Sequence, residues 1–230
     1  MKLNTFKKHY FGVLPNLLVV GGILLVVLSF GPLLKDELWF YLKEFKNQEY
    51  FLAEALGEDS DSIEDSVFAR FLSSRPISIE PVNKDFSIVI EKIGVNAPVV
   101  KGVAVTDKKD YTEALKKGVA HAYVSATPSR ESGNVYLFAH ASLNFWQLGR
   151  YATTFNLLRK LSFGDRVYVF HDQKTYVYEV IHKEVVKGWN TYPITRPTIE
   201  PILTLQTCDP PGTTLNRLVV TSKLKEVLEE

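Results

Sequence analysis

Cysteine is nearly absent: Cys208 is the only one in 230 residues, so no disulfide can form within the chain. In an exported protein such a thiol is either buried or kept for chemistry. A charge excess of one sign is missing too. Twenty-seven Lys and Arg against 26 Asp and Glu leave a formal +1, which excludes the basic stripe of a nucleic-acid binder. One cysteine and five scattered histidines offer no zinc spacing. The acidic cluster Glu58-Asp59-Ser60-Asp61-Ser62 lacks the glycine and terminal glutamate of a calcium loop and reads as a solvated surface. There is no glycine loop that could cradle a phosphate, no internal repeat and no low-complexity segment.

What is present begins with a long apolar run. Residues 14–34 are interrupted only by Asn16, Ser29 and three glycines, with Pro15 and Pro32 at the ends. As a helix the run spans roughly 30 Å, the thickness of a bilayer's hydrocarbon. Lys2, Lys7 and Lys8 precede it, and residues 35–70 carry ten acids against four bases. That asymmetry places the N-terminus in the cytoplasm and the rest outside. A cleaved signal peptide is the alternative. However, the run is long for one, and Pro32 follows the small-x-small site Ser29-Phe30-Gly31 and disfavours cleavage. The expected organisation is a cytoplasmic N-terminus over 1–13, an anchor over 14–34, a helical acidic stalk over 35–74 and the main domain over 75–230. Within the stalk, Leu38, Leu42, Phe45, Phe51, Leu52, Ala55 and Leu56 recur at helical spacing, which predicts helices over 35–71.

From Ile77 the pattern changes to short runs rich in β-branched and aromatic residues, at 86–90, 97–100, 134–139, 166–170, 175–180, 202–207 and 218–221. Two helix-like pieces lie between them, at 112–117 and 155–161. Many short strands and few helices predict a mainly β barrel or sandwich.

A lone cysteine is ordinarily an inert core thiol. Here the strand-like Leu203-Thr204-Leu205-Gln206-Thr207 leads into Cys208, and Asp209-Pro210-Pro211-Gly212 stops the strand. The thiol therefore sits at a strand end. Nine residues on, Arg217 opens the next strand, and a hairpin of that length returns it beside Cys208. A fixed cation there favours a thiolate and can stabilise an oxyanion. Taken alone, Arg217 reads as a solvated charge. A cysteine nucleophile also needs a proton-transfer partner. His9 falls on the cytoplasmic side, His171 sits in a turn and reads as solvated, and His182 follows a strand beside Lys183. His121, in Gly118-Val119-Ala120-His121-Ala122, and His140, after the strand 135–139, both remain candidates on position alone.

At this point the residues resemble a known family. Thr204-Leu205-Gln206-Thr207-Cys208 is similar to the TLxTC signature of sortases, and Arg217 matches the arginine of that family's following strand. Segments 93–100, 115–121, 133–140 and Gly164-Asp165 resemble further family motifs in order, over roughly 88–224. The short loop from Cys208 to Arg217 is most similar to class D or E members. The resemblance implies an eight-stranded β-barrel and a cysteine transpeptidase that cleaves LPxTG-like sorting signals between Thr and Gly. By it, Cys208 is the nucleophile, His140 the acid and base, Arg217 the oxyanion or substrate holder, and Thr207 a pocket residue. His121 becomes structural. Segment 187–194 corresponds to a substrate-facing loop. The implied partners are proteins with C-terminal sorting signals, an amine acceptor from a cell-wall precursor, and the lipid bilayer through 14–34. A pilin polymerase using a lysine acceptor, an inactive surface-binding module of the same fold, and an unrelated cysteine hydrolase are the alternatives. The last usually places Cys before His, the reverse of the order here. No cofactor is implied; some family members respond to calcium, for which no acidic cluster is evident here.

Overall fold

The computed structural model describes residues 3–53, 76–141 and 149–229, without the side chains of residues 3–14, 29, 32 and 33. Helix α1 runs Leu3–Phe45. Strands β1 (Tyr50–Leu52) and β2 (Ile77–Ile79) then pair in parallel as a separate two-stranded sheet. The rest of the chain builds β3 (Phe86–Ile90), β4 (Val95–Val103), α2 (Lys108–Lys117), β5 (Val119–Ala122), β6 (Gly133–Phe138), β7 (Arg166–His171), β8 (Lys174–Lys187), the one-turn α3 (Tyr192–Thr195), β9 (Pro201–Asp209) and β10 (Asn216–Glu229). Eight of these strands close a barrel in the order β10-β8-β7-β3-β4-β5-β6-β9. The expected mainly β, eight-stranded barrel is what the chain forms.

The barrel interior is filled by Ile88, Ile90, Val119, Leu137, Val167, Val169, Tyr178, Leu203, Leu205 and Val220, all close to fully buried. Strand β3 is buried at every position, because its outward face is covered as well. Val89 points into a second cluster with Leu52, Ile79, Tyr168, Phe170 and Val177, under the β1–β2 pair. This double burial is why the sequence of β3 alternates only loosely. Helix α2 begins where the Asp107 side chain accepts from Lys109 N at 2.8 Å and Asp110 N at 3.1 Å.

Two expectations change here. Phe51 and Leu52, read as helical, lie in β1, because Leu52 is buried in the outer cluster and the backbone of the two pairs with Ser78 and Ile79. The later stalk residues 54–75 lie outside the described residues. His171, read as a solvated turn residue, is the last residue of β7. It is buried, with its ring edge-on to Phe86 at 4.8 Å between centroids. His182 lies within β8, paired with Thr221.

Helix α1 turns from apolar to amphipathic beyond its middle. Leu17, Leu18, Val19, Val20, Ile23, Leu24 and Leu25 are all more than half exposed. Among the described residues no helix is long and apolar enough to cross a membrane, although the run 14–34 includes side chains outside that description. Further along, α1 docks on the barrel. Phe40 is buried in the main core, Trp39 Nε1 donates to Tyr50 Oη at 2.7 Å, and Lys43 Nζ donates to Lys92 O at 3.0 Å.

Strand directions fix which features share an end of the barrel. Strand β6 runs parallel to β9, and β10 runs antiparallel to both β9 and β8. The ends of β6, β8 and β9 and the start of β10 therefore lie together. Around the other side, β5 is antiparallel to β6, β4 is parallel to β5, and β3 is antiparallel to β4 and to β7. The end of β3, the 3-10 turn Glu91–Ile93 and the start of β7 belong to that same end.

Candidate active site

Cys208 stands at the end of β9, half-buried, directly opposite Arg217 in the β9–β10 register. The hairpin reading is thus met residue for residue. Arg217 is held by its own turn: Nη1 donates to Thr214 O at 3.2 Å and to Asn216 O at 3.0 Å. The turn packs tightly on the end of β8, where Gly188 N donates to Leu215 O at 3.0 Å. A Cβ on Gly188 would meet Thr214 O at 2.5 Å, so only glycine permits this approach.

His140 lies two residues beyond β6, and the segment that carries it is fastened on three sides. Ala139 N donates to Gln206 O at 3.1 Å, His140 O accepts from Phe155 N at 3.2 Å, and Ala141 O accepts from Gly212 N at 2.7 Å. Two of these bonds come from β9 and the β9–β10 turn, so the cysteine strand and the histidine segment form one unit. Thr207 adds a fourth fastening. It is 4% exposed and its hydroxyl donates to Ala139 O at 2.9 Å. The expected pocket residue does line the cleft, but its polar group is engaged in holding the histidine segment.

Cys208, His140, Arg217 and Thr207 share a cleft of about 550 Å³. Its apolar lining includes Val105, Leu115, Phe138 and Ile194. Tyr136 and Gln206, which are hydrogen-bonded to each other, add a polar point. Gly188, Asn190 and Thr191, from the same segment as Ile194, the one read as a substrate-facing loop, line the cleft as well.

The electrostatics favour neutral partners at rest. Burial pushes the Cys208 thiol above its ordinary value, and the nearby Arg217 charge opposes that shift. Burial holds the His140 imidazole below its ordinary value. Its Nε2 is buried and has no hydrogen-bond partner among the described residues. His121, by contrast, lies inside β5, 2% exposed and fully hydrogen-bonded. The structure brings His140 to the cleft and leaves His121 out of it.

Sequence reasoning missed the Tyr136–Gln206 pair, the role of Gly188, and the ion pair of Asp209 with Arg159 at 3.5 Å. Each depends on a contact between segments distant along the chain, and only Gly188 left a local trace, as a glycine closing a strand. Among the described residues no three His, Cys, Asp or Glu side chains gather as a metal site. The acidic cluster 58–62 lies outside the described residues.

A closed mixed barrel with a thiol, an imidazole and a guanidinium gathered at one end has relatives of known structure. The sortase domain matches residues 88–225, and the chain belongs to the sortase family. No curated protein matches it in sequence. Sortase C-1 from Actinomyces oris is 31% identical, with 63% of this chain and 76% of that one covered and a TM-score of 0.53. The pilus-related sortase C of Group B Streptococcus is 24% identical, with 73% and 77% covered and a TM-score of 0.53. A sortase D5 transpeptidase from Clostridium perfringens is 23% identical, with 64% and 82% covered and a TM-score of 0.50. The latter two likenesses are of fold.

Proposed function

We propose that this protein is a membrane-anchored cysteine transpeptidase that cleaves LPxTG-like sorting signals between Thr and Gly and passes the acyl group to an amine. The observation that carries the reading is the pairing of Arg217 with Cys208 across β9–β10, with His140 in the same cleft.

In the proposed reaction the Cys208 thiolate attacks the threonine carbonyl carbon, and the charge that develops on its oxygen faces the Arg217 guanidinium. The C–N bond to glycine breaks, and the leaving amine takes its proton from the His140 imidazolium, leaving a thioester on Cys208. An incoming amine gives a proton to His140, forms the new amide and expels the thiolate. The apolar lining of the cleft suits the leucine and proline of such a signal. The acceptor is read as the amine of a cell-wall precursor.

Residues 14–34 serve as the anchor and place the barrel outside the cytoplasm. The lysines before the apolar run, the acids after it and the exposed apolar side chains of α1 support this. A second reading, a pilin polymerase with a lysine acceptor, is favoured by the likeness to sortase C proteins, one of them pilus-related by name.

The test is turnover of fluorogenic LPxTG-type peptides by the full chain in detergent, with an amine acceptor, beside Cys208→Ala. Wild type should release the fluorophore and show an acyl adduct on Cys208 by mass spectrometry. Silence across a panel of sorting peptides, or an equally active mutant, sinks the reading. Supplying a lysine-side-chain acceptor against an N-terminal glycine acceptor separates the two amine classes.

A further inference from the structure

Helix α1 and the cleft meet the same end of the barrel. The docked part of α1 makes three polar contacts with segments of that end: Asp36 Oδ2 accepts from Asn156 Nδ2 at 3.4 Å, Glu37 pairs with Lys160 at 2.8 Å, and Lys43 reaches Lys92 O at 3.0 Å. The Asn156 segment is the one whose Phe155 N holds His140 O, and its Arg159 pairs with Asp209, the neighbour of Cys208.

The first of these contacts, at Asp36, comes two residues after the apolar run ends at Leu34, about 3 Å along a helix axis. That leaves no spacer between a span and the docked barrel. The rim of the same end also exposes large apolar side chains beside the cleft. Trp189 is 82% exposed and Leu215 69%, joined through the Gly188–Leu215 backbone bond. Amphipathic aromatic and apolar residues in such a position suit the headgroup layer of a bilayer.

We infer that the catalytic end of the barrel faces the lipid surface, with Trp189 and Leu215 resting on the interface and the cleft opening toward chains that emerge from the bilayer. This rests on the anchor reading above. The docked contacts of α1 and the shared barrel end set the orientation, and the short link from Leu34 to Asp36 sets the closeness. The partner is the bilayer itself, because the apolar run and the docked segment are one continuous helix.

The absence of other cysteines makes the test clean. In a Cys208→Ala background the full chain is labelled with a fluorophore at Leu215→Cys or at Glu131→Cys, which precedes β6 at the opposite end. Each protein is reconstituted in phosphatidylethanolamine–phosphatidylglycerol vesicles with nitroxide on the headgroups. The six residues of β6 separate the ends by about 20 Å, beyond collisional quenching from the headgroup layer. Quenching should be several-fold stronger at position 215 than at 131. Equal quenching, or stronger quenching at 131, overturns the orientation while leaving the anchor in place. Protein that does not float with the vesicles overturns the anchor and this inference together, while peptide turnover in detergent would still stand. Quenching at 215 that follows protein density instead of nitroxide content points to a second copy on this rim and overturns the lipid assignment.

Discussion

His121 lies in a barrel strand and His140 just beyond the neighbouring one, and their surroundings are opposite. His121 is in β5, paired with Leu137 of β6, and His140 follows β6 by two residues. The ring of His121 is satisfied on both sides: Nε2 lies 2.9 Å from Ala126 O and 3.0 Å from Ser125 Oγ, and Nδ1 accepts from Gly102 N at 3.4 Å. Its neutral form fits this cage, and it packs against Phe86 at 5.5 Å between centroids. His140 has a buried Nε2 with no partner among the described residues and a backbone secured by β9, its turn and Phe155. Leaving a buried nitrogen unpaired costs about 1–3 kcal/mol. One imidazole is placed for stability. The other is held in position at a cost to stability, the arrangement expected of a group that exchanges protons with a ligand.

The sharpest way to break this contrast is His140→Ala. Turnover of a sorting peptide should fall by about 10²–10⁴-fold, the usual worth of a general acid and base, with little change in urea midpoint. Turnover within a few-fold of wild type would end the assignment. Arg217→Ala should cost about 10²–10³-fold, as for loss of one oxyanion donor. Because the Arg217 charge opposes the upward push of burial on Cys208, the same change should also raise the alkaline limit of kcat/KM. A mutant that loses activity with an unmoved limit would show that Arg217 does not act on the thiol.

His121→Ala should do the reverse of His140→Ala. Stability should drop by about 2–4 kcal/mol through orphaned partners and a cavity, with turnover per folded molecule kept near wild type. Burial depresses the folded value of His121, so the unfolded chain binds its proton more readily. The stability that this residue contributes is complete above the unfolded imidazole value of about 6.5 and declines as pH falls below it. Denaturation midpoints across that range, for wild type and His121→Ala, measure this directly, and parallel curves would discard it.

The smallest effect expected is in the pH profile. With the thiol raised and the imidazole lowered, both by burial, the neutral pair predominates between the two values. The thiolate–imidazolium form is a minor species whose population peaks in that interval. kcat/KM should therefore be bell-shaped, its acid limb below the ordinary imidazole value and its alkaline limb above the ordinary thiol value. An acid limb above about 6.5 would contradict the lowered His140.

Much of this was legible along the chain. The strand-end position of Cys208 followed from a β run ending at Asp209-Pro210-Pro211-Gly212, and the return of Arg217 from the loop length. Most barrel strands were visible in their β-branched and aromatic runs. Strand β5 was not, because Val119-Ala120-His121-Ala122 is short and carries no alternation. Strand β1 was misread, because Phe51 and Leu52 extend the helical spacing of α1 and their true partners lie on β2, 27 residues further along the chain. His171 looked solvated because Asp172-Gln173-Lys174 follows it, whereas the ring packs on Phe86 of β3.

The strand-end cysteine, its facing arginine and the apolar run came from local order, since strand ends, hairpin lengths and hydropathy are properties of neighbouring residues. The choice between His121 and His140 was not local. On position the two were equal, and a family resemblance separated them before any contact could. Tertiary structure supplied the physical reason: Gly102, Ser125 and Ala126 converge on one ring, while the cleft leaves the other ring's Nε2 unpaired. It also decided that Thr207 secures the histidine segment and that α1 meets the barrel at the end that carries the cleft. Hydrogen-bond satisfaction and relative strand direction arise only when distant segments meet.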